Sequence, residues 1–577
     1  MRSRLPATSA VAAVALLSCL VATVPAAAAP ANQSPPDGIV VKDGVTQPVF
    51  PYDQAVIESV FIETPVDSDG DGRRDRVHAT IQRPGPTATG RLKVASIVEP
   101  SPYWAGILDV PNHGVDVDEL PQRRSLAGRH DGLGLTAPPV STREYYVTRG
   151  YAYVRAESIG SGDSDGCPTS GDSQETKAMR AVVEWLTGRA RGWSDTGAPA
   201  SATWSTGSVG MMGVSYNGTL PNQVATTGVP GLKTIVPISA ISSWYDYYRA
   251  NGLVVAPGGF QGEDADVLAR AVLTRKNPEV CAALMDRIEQ QQDRVTGDYT
   301  TFWRERDYLP GARNVRASVF VTHGLADWNV KTTQFAQWWD ALGKAGVPRK
   351  LWLHPGGHGK SQLEEWRDAV HRWIDHWLYD VRNGIERQPI ATVERAGGVT
   401  TSYRNWPDPA ARPVSVPLAL RRHAKDSFVD SGATLKAEQL VLDPGAANPN
   451  RLAYVTPALR HPARISGTPV VELRASVDNK DAANLTALLV DYGPAGATPK
   501  IVTRGWTDTR NGPRGTSTLS WTQEPKDYIF ESGHRIGLVV LSTDYDYTLR
   551  PKPGTKLTVR PGQSQVVLPI VGGRLRF

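Results

Sequence analysis

Three short segments, met in a fixed order along the chain, leave few folds open. The first is Gly210-Met211-Met212-Gly213-Val214-Ser215-Tyr216-Asn217-Gly218. An apolar run stops at a glycine, presents one serine and reaches a further glycine three residues later. Such spacing builds a sharp strand-to-helix turn that lifts a serine Oγ clear of a sheet. On its own, in a chain with 54 glycines, Gly-x-Ser reads equally well as an ordinary turn. The second segment removes that ambiguity. Ala317 to Thr322 alternates like a strand and runs into His323-Gly324-Leu325-Ala326-Asp327-Trp328-Asn329-Val330, followed by an amphipathic stretch from Thr332 to Ala345. The third, Lys350 to His354, is again a strand and ends in Pro355-Gly356-Gly357-His358-Gly359.

Ser215, Asp327 and His358 thus each follow the C-terminal end of a strand, where open α/β sheets place their ligands. Ser, then Asp, then His is the triad order of the α/β-hydrolase fold and of neither well-known protease order. An α/β fold of that kind is therefore expected over residues 50–384. Residues 241–312 interrupt the strand–helix alternation with helical, aromatic-rich text (Trp244, Tyr245, Tyr247, Tyr248, Phe260). They read as a helical cap inserted over the strand ends, its aromatics mostly serving as core. Beyond Gly384, short strands rich in Val, Thr and Leu recur between Pro, Gly, Asn and Asp turns, including Ile390 to Glu394 and Gln439 to Leu442. That text predicts an all-β sandwich of jelly-roll type over 385–577.

The N-terminus reads as an export signal over residues 1–28, with Arg2 and Arg4, an apolar core from Ala10 to Val24 and a small-residue cleavage site at Ala26-Ala27-Ala28. A lipoprotein reading around Cys19 is the minor alternative. The mature protein is expected to be secreted, with 29–49 as an extended leader and no later membrane span. The formal charge of +5 is small for 577 residues, and no basic stripe points to nucleic acid. Two cysteines remain after the signal, Cys167 and Cys281. In an oxidising compartment they read as one disulfide, against two separate buried thiols. The turn Asp67 to Asp75 resembles a calcium loop through six positions, but its twelfth is His78 where a bidentate Glu is needed. A polar hairpin explains it as well. The loop Glu157 to Cys167 is rich in Gly, Ser and Asp but lacks the Lys of a phosphate cradle, so it reads as a turn at the sheet edge. No metal and no cofactor are expected.

The motifs Gly213-Val214-Ser215-Tyr216-Asn217-Gly218, Gly324 to Val330 and His354-Pro355-Gly356-Gly357-His358 resemble those of the S15 family of serine peptidases, over nearly all of the mature chain. Ile241 to Arg249 and Gly259 to Asp264 resemble its Xaa-Pro dipeptidyl-peptidase branch. The resemblance implies an exopeptidase that releases Xaa-Pro dipeptides from proline-containing peptides through an acyl-enzyme. It implies an oxyanion hole made by the Tyr216 N–H and the Tyr103 hydroxyl, and a proline pocket around Trp244, Tyr247, Asn329 and Val330. An exopeptidase must also bind a free ammonium, for which Glu263 is the candidate. The same triad would serve an esterase or an α-amino acid ester hydrolase or acylase. More remotely, the chain would be an inactive secreted protein whose sandwich binds carbohydrate.

Overall fold

Eleven strands form the main sheet of the computed structural model. In chain order they are β1 Val56–Glu63, β2 Arg76–Arg83, β3 Val94–Ser101, β4 Ala152–Glu157, β5 Gly192–Ser194, β6 Ser205–Val214, β7 Leu232–Ile238, β8 Ser318–Gly324, β9 Arg349–His354, β10 Ala391–Glu394 and β11 Thr400–Tyr403. Across the sheet the order is β11-β10-β9-β8-β7-β6-β3-β4-β2-β1-β5. The structure describes residues 35–116, 141–419, 425–478, 484–509, 515–550 and 553–577, together with the backbone of Arg123–Arg124. The segment read as an export signal, 1–28, lies outside the described residues.

The seven strands from β10 to β4 are parallel. Covered on both faces, they are rich in buried residues; all seven residues of β8 are buried. The chain lays β4 on one side of β3 and then crosses back to put β6 on the other. Strand order therefore reverses between β3 and β6, and a crevice opens at their C-terminal ends. Tyr103 follows β3, and Ser215 follows β6.

Helices cover both faces. Asp172 caps helix α1 (Ser173–Leu186) by accepting from Gln174 N at 2.7 Å. The stripe Ala178, Ala181, Val182, Trp185 and Leu186 of α1 is buried. Helix α2 (Tyr216–Ala225) follows the serine directly. Between β7 and β8 comes the insertion, with α3 Trp244–Tyr248, α4 Ala265–Ala271, α5 Ala282–Gln291 and α6 Thr301–Arg304. Helices α7 (Thr333–Lys344) and α8 (Glu364–Tyr379) complete this part. Two tryptophans of α8 bury their rings and donate to strand hydroxyls, Trp366 to Thr322 at 3.0 Å and Trp373 to Thr234 at 2.7 Å. The apolar ring supplies burial while its N–H stays satisfied. Among the described residues, no helix is long and apolar enough to cross a membrane.

After β11 the chain forms two antiparallel sheets, one including Val470–Val477 and Gln565–Val571, the other Asn484–Asp491 and Ile536–Leu541. Leu473 and Val566 of the first meet Leu489 and Leu538 of the second in one buried core.

Three expectations change. The leader, where described, is not simply extended: Val41–Lys42 pairs with Val45–Thr46. Thr46 N and Oγ1 donate to Asp375 of α8 at 2.7 and 3.0 Å, which pins the hairpin to the helix behind the main sheet. The strand at 390–394 does not begin the sandwich. It is β10, parallel to β9, with Leu351 N donating to Ile390 O at 2.7 Å. Residues 439–442 are not a strand; Ala437–Leu440 is one helical turn, and Gln439 Oε1 accepts from Lys436 N at 3.0 Å. The turn Asp67 to Asp75 is a tight polar hairpin. The Asp67 carboxylate accepts from Gly70, Asp71 and Gly72 N–H groups, and Asp69 pairs with Arg275 at 2.7 Å.

Candidate active site

Ser215 stands at φ 63° and ψ −127°, a conformation that costs a residue with a Cβ about 1–3 kcal/mol. Its neighbours hold it there. Ser215 N donates to Ile238 O at 2.8 Å, and Ser215 O accepts from Gly218 N and Thr219 N at 2.9 Å each. The flanking glycines permit the close approach: a Cβ on Gly213 would meet the Asn217 backbone at 2.6 Å, and one on Gly218 would meet Gly213 O at 2.6 Å. The turn therefore needs glycine at both ends, as its spacing implied.

Asp327 and His358 come together from separate strand ends. Asp327 is fully buried; its Oδ1 accepts from Asn329 N at 3.0 Å and Val330 N at 2.9 Å. Its Oδ2 lies 2.8 Å from His358 Nδ1. The two loops are stitched by Leu325 N to His354 O at 2.7 Å and Ala326 N to Gly356 O at 3.0 Å. Burial alone would raise the Asp327 carboxyl, but His358 and His323 together hold it below its ordinary value. His323, buried behind it, is pushed down to about 4 by burial and stays neutral near pH 7. It hydrogen-bonds Val330 O at 2.8 Å, which makes it a support for the loop. His358 Nε2 is buried and has no hydrogen-bond partner among the described residues.

Tyr216 is the first residue of α2, so its N–H has no partner within the helix and lies at the positive end of the helix dipole. Its ring is fixed by Glu175 of α1, whose Oε2 accepts from the Tyr216 hydroxyl at 2.7 Å. Glu175 was not singled out by the sequence, since 41 residues separate the pair. Tyr103 packs edge-on against Tyr216, with ring centroids 6.0 Å apart. Burial, then the charges of Glu263 and Glu175, raise its hydroxyl, so Tyr103 remains a proton-bearing donor.

The insertion supplies an aromatic wall. Trp244 is fully buried, edge-on to Tyr216 at 4.9 Å and to Tyr247 at 5.8 Å, and donates to the Tyr308 hydroxyl at 2.7 Å. Tyr247 donates to Asn329 Oδ1 at 2.7 Å, which joins the wall to the Asp327 loop. Val330 is fully buried and Asn329 partly exposed. Glu263 is 8% exposed and accepts from the Tyr248 hydroxyl at 2.9 Å. Among the described residues no cation lies within 4.0 Å of its carboxylate. Burial pushes it up to about 7, while Tyr248 and Lys331 act the other way. Next to it, Asp264 is held between Arg249 at 3.0 Å and Arg294 at 2.8 Å. Cys167 and Cys281 are bonded, tying the insertion to the loop after β4.

The sandwich also reaches the site, through contacts no local pattern announces. Glu524 Oε2 accepts from Thr333 N at 2.7 Å, at the start of α7. Lys526 Nζ donates to Leu325 O, and lies 4.3 Å from the ring centre of Trp328. Arg504 covers the same ring at 4.7 Å and pairs with Asp544 at 2.9 Å. The segment Leu325 to Val330 is thus held from the hydrolase core, the insertion and the sandwich.

Comparison with known proteins agrees in extent with this architecture. The family profile described as X-Pro dipeptidyl-peptidase (S15 family) matches residues 69–360. A second, described as the X-Pro dipeptidyl-peptidase C-terminal non-catalytic domain, matches 383–571. A relative from Bacillus anthracis is 50% identical over 555 residues, covering 92% of this chain and 90% of its own length. The Xaa-Pro dipeptidyl-peptidase of Lacticaseibacillus rhamnosus is 33% identical over 625 residues, covering 91% of this chain and 78% of its own. Among solved structures, an aminopeptidase from a marine sediment archaeon superposes with a TM-score of 0.65 at 16% identity, covering 90% of this chain and 97% of that one. An α-amino acid ester hydrolase gives 0.62 at 17%, covering 92% and 98%. These two structures share the fold. On the matched profiles and the relatives' identity, the chain belongs to the S15 family of X-Pro dipeptidyl-peptidases.

Proposed function

We propose that the chain is a serine exopeptidase that removes Xaa-Pro dipeptides from free peptide N-termini. In this reading Ser215 Oγ attacks the carbonyl carbon of the proline residue while His358 Nε2 takes its proton. Asp327 fixes the imidazole tautomer and stabilises the imidazolium. The oxyanion is received by the Tyr216 N–H and the Tyr103 hydroxyl. His358 returns the proton to the leaving amine as the C–N bond breaks, which leaves the dipeptide esterified to Ser215. Water, deprotonated by His358, then cleaves that ester and restores the serine.

The observation that carries the exopeptidase reading is Glu263, a buried carboxylate with a tyrosine partner and, among the described residues, no cation within 4.0 Å. A substrate ammonium is the group that would complete it. The aromatic surface of Tyr247, backed by Trp244 and joined to Asn329, suits the flat ring of proline. The names of the relatives support the same substrate class. Turnover of Gly-Pro- and Ala-Pro-anilides beside Gly-Ala-anilide and a simple acyl ester tests it. The Pro-anilides should be preferred; an ester preference with no gain from proline would replace this reading with an esterase.

Export belongs to the same proposal. It is supported by the charged, apolar and small-residue order of residues 1–28 and by a disulfide suited to an oxidising compartment. N-terminal sequencing of protein recovered from the culture medium should start near Ala29; an intact Met1 would contradict it.

A further inference from the structure

The loop Glu157 to Cys167 has no part in the reaction above. It leaves the C-terminal end of β4 next to β2, and Glu157, Asp163 and His78 of β2 bring ligand atoms within 4.8 Å of one another. His78 Nδ1 lies 3.1 Å from Glu157 Oε2, yet this buried nitrogen makes no hydrogen bond among the described residues. The two atoms are close without being aimed at each other.

The far side of the ring explains why. The Ser59 hydroxyl has one proton, and it donates that proton to Asp195 Oδ1 at 2.7 Å. Toward His78 Nε2, also at 2.7 Å, Ser59 Oγ must therefore accept. The ring proton sits on Nε2, and in the neutral ring the Nδ1 lone pair faces a carboxylate. Two acceptors 3.1 Å apart repel unless positive charge lies between them. Adjacent ligand atoms on a small ion, each about 2.1 Å from it, stand roughly 3.0–3.4 Å apart.

We propose that His78 Nδ1, Glu157 Oε2 and the Asp163 carboxylate form a binding site for a divalent first-row transition cation of the Zn2+ class. One imidazole with two carboxylates is a donor set for such ions, whereas Ca2+ sites are built from oxygen alone. Ser59 and Asp195 act as the outer pair that orients the ligating ring. Glu157 Oε2 also accepts from Asp163 N at 2.8 Å, which fixes the carboxylate and leaves a second lone pair for the ion. Asp163 now contacts Lys276 at 3.3 Å, but that lysine is 89% exposed and its pairing is weak. The ion would join β2, β4 and the loop that carries Cys167, and act as a brace outside the reaction.

The competing occupant of the gap is a proton on Nδ1, giving an imidazolium–Glu157 pair that takes up no metal. The full chain, stripped with a chelator, is titrated with Zn2+ by calorimetry and with Co2+ by visible absorption. One saturable equivalent at micromolar concentration is expected, with a rise in Tm. His78→Gln should abolish binding, and Asp163→Asn should weaken it. Ser59→Ala should weaken it by about tenfold through the lost orientation of the ring. Asp163 is exposed, so Asp163→Asn should fold normally and hydrolyse its substrate as the parent does. Absence of saturable binding up to millimolar Zn2+, or binding that survives both His78→Gln and Asp163→Asn, overturns the site.

Discussion

The triad loops and the aromatic wall of the insertion are held in different ways. Ser215, Asp327 and His358 each sit within four residues of a parallel strand, so backbone pairing in one sheet sets their positions. Glu263, Tyr247 and the braces on Trp328 come from an insertion and from a second domain, and depend on side chains meeting over long sequence distances. The sheet therefore supplies reactivity that any acyl substrate would meet. In the proposed reading the wall supplies selectivity, through charges and rings that can be altered without touching the chemistry.

That division predicts effects of different kind. The largest is on the sheet side: Ser215→Ala should lower kcat by about 10⁶ for peptide and ester alike while the protein stays folded. Activity within tenfold of the parent would place the nucleophile elsewhere. Next is the tie between the two regions. The bond from Cys167 to Cys281 closes a separation of 114 residues, a loop worth ~4–5 kcal/mol in the chain-entropy model. Replacing both cysteines by alanine should cost stability of that order in denaturant unfolding, and an unchanged midpoint would contradict it.

Glu263→Gln should lower kcat/KM for a free-amine dipeptide anilide by about two to three orders of magnitude and barely affect an uncharged ester. The pH dependence follows with a definite sign. The Glu263 carboxyl is raised from an ordinary 4.5 to about 7 in the fold, and only its ionised form attracts an ammonium. The ratio of amine to ester kcat/KM should therefore rise with pH through about 7, and fall again as the substrate's own ammonium loses its proton at about 8. Folding takes up a proton at Glu263 between about 4.5 and 7, so its contribution to stability falls as pH rises through that window. A flat ratio in the parent would remove Glu263 from substrate binding.

The smallest effect tests the sandwich. Lys526→Met keeps the length of the stem but loses the charged bond to Leu325 O. It should lower kcat about tenfold, with KM nearly unchanged, because the Asp327 loop loosens while the wall stays intact. An equal rise in KM would show that the sandwich acts on binding instead.

The same division explains what the sequence disclosed. The serine turn, the strand ends and the triad order are local signals: a glycine at each end of a turn, alternation running into a loop, an Asp or His just beyond. The insertion announced itself by breaking the alternation. Partner choice was not legible. Ala391–Glu394 is a four-residue strand whose letters do not say which sheet it joins, and it joined β9 rather than the sandwich. Gln439 to Leu442 is too short to separate a helical turn from a strand by periodicity. Glu175, Glu524 and Lys526 look like ordinary surface charges in the sequence, yet they are buried against the site. Only tertiary packing marks them.

The central claim is that the buried Glu263 makes this enzyme count two residues from a charged N-terminus. Its most direct measurement is kcat/KM for Gly-Pro-anilide against N-acetyl-Gly-Pro-anilide at pH 8, with the unmodified chain. Acetylation removes the ammonium and leaves the carboxylate buried without a charged partner, so kcat/KM should fall by about two to three orders of magnitude. Equal rates on the two substrates would contradict the account, and would leave the triad serving an esterase or acylase.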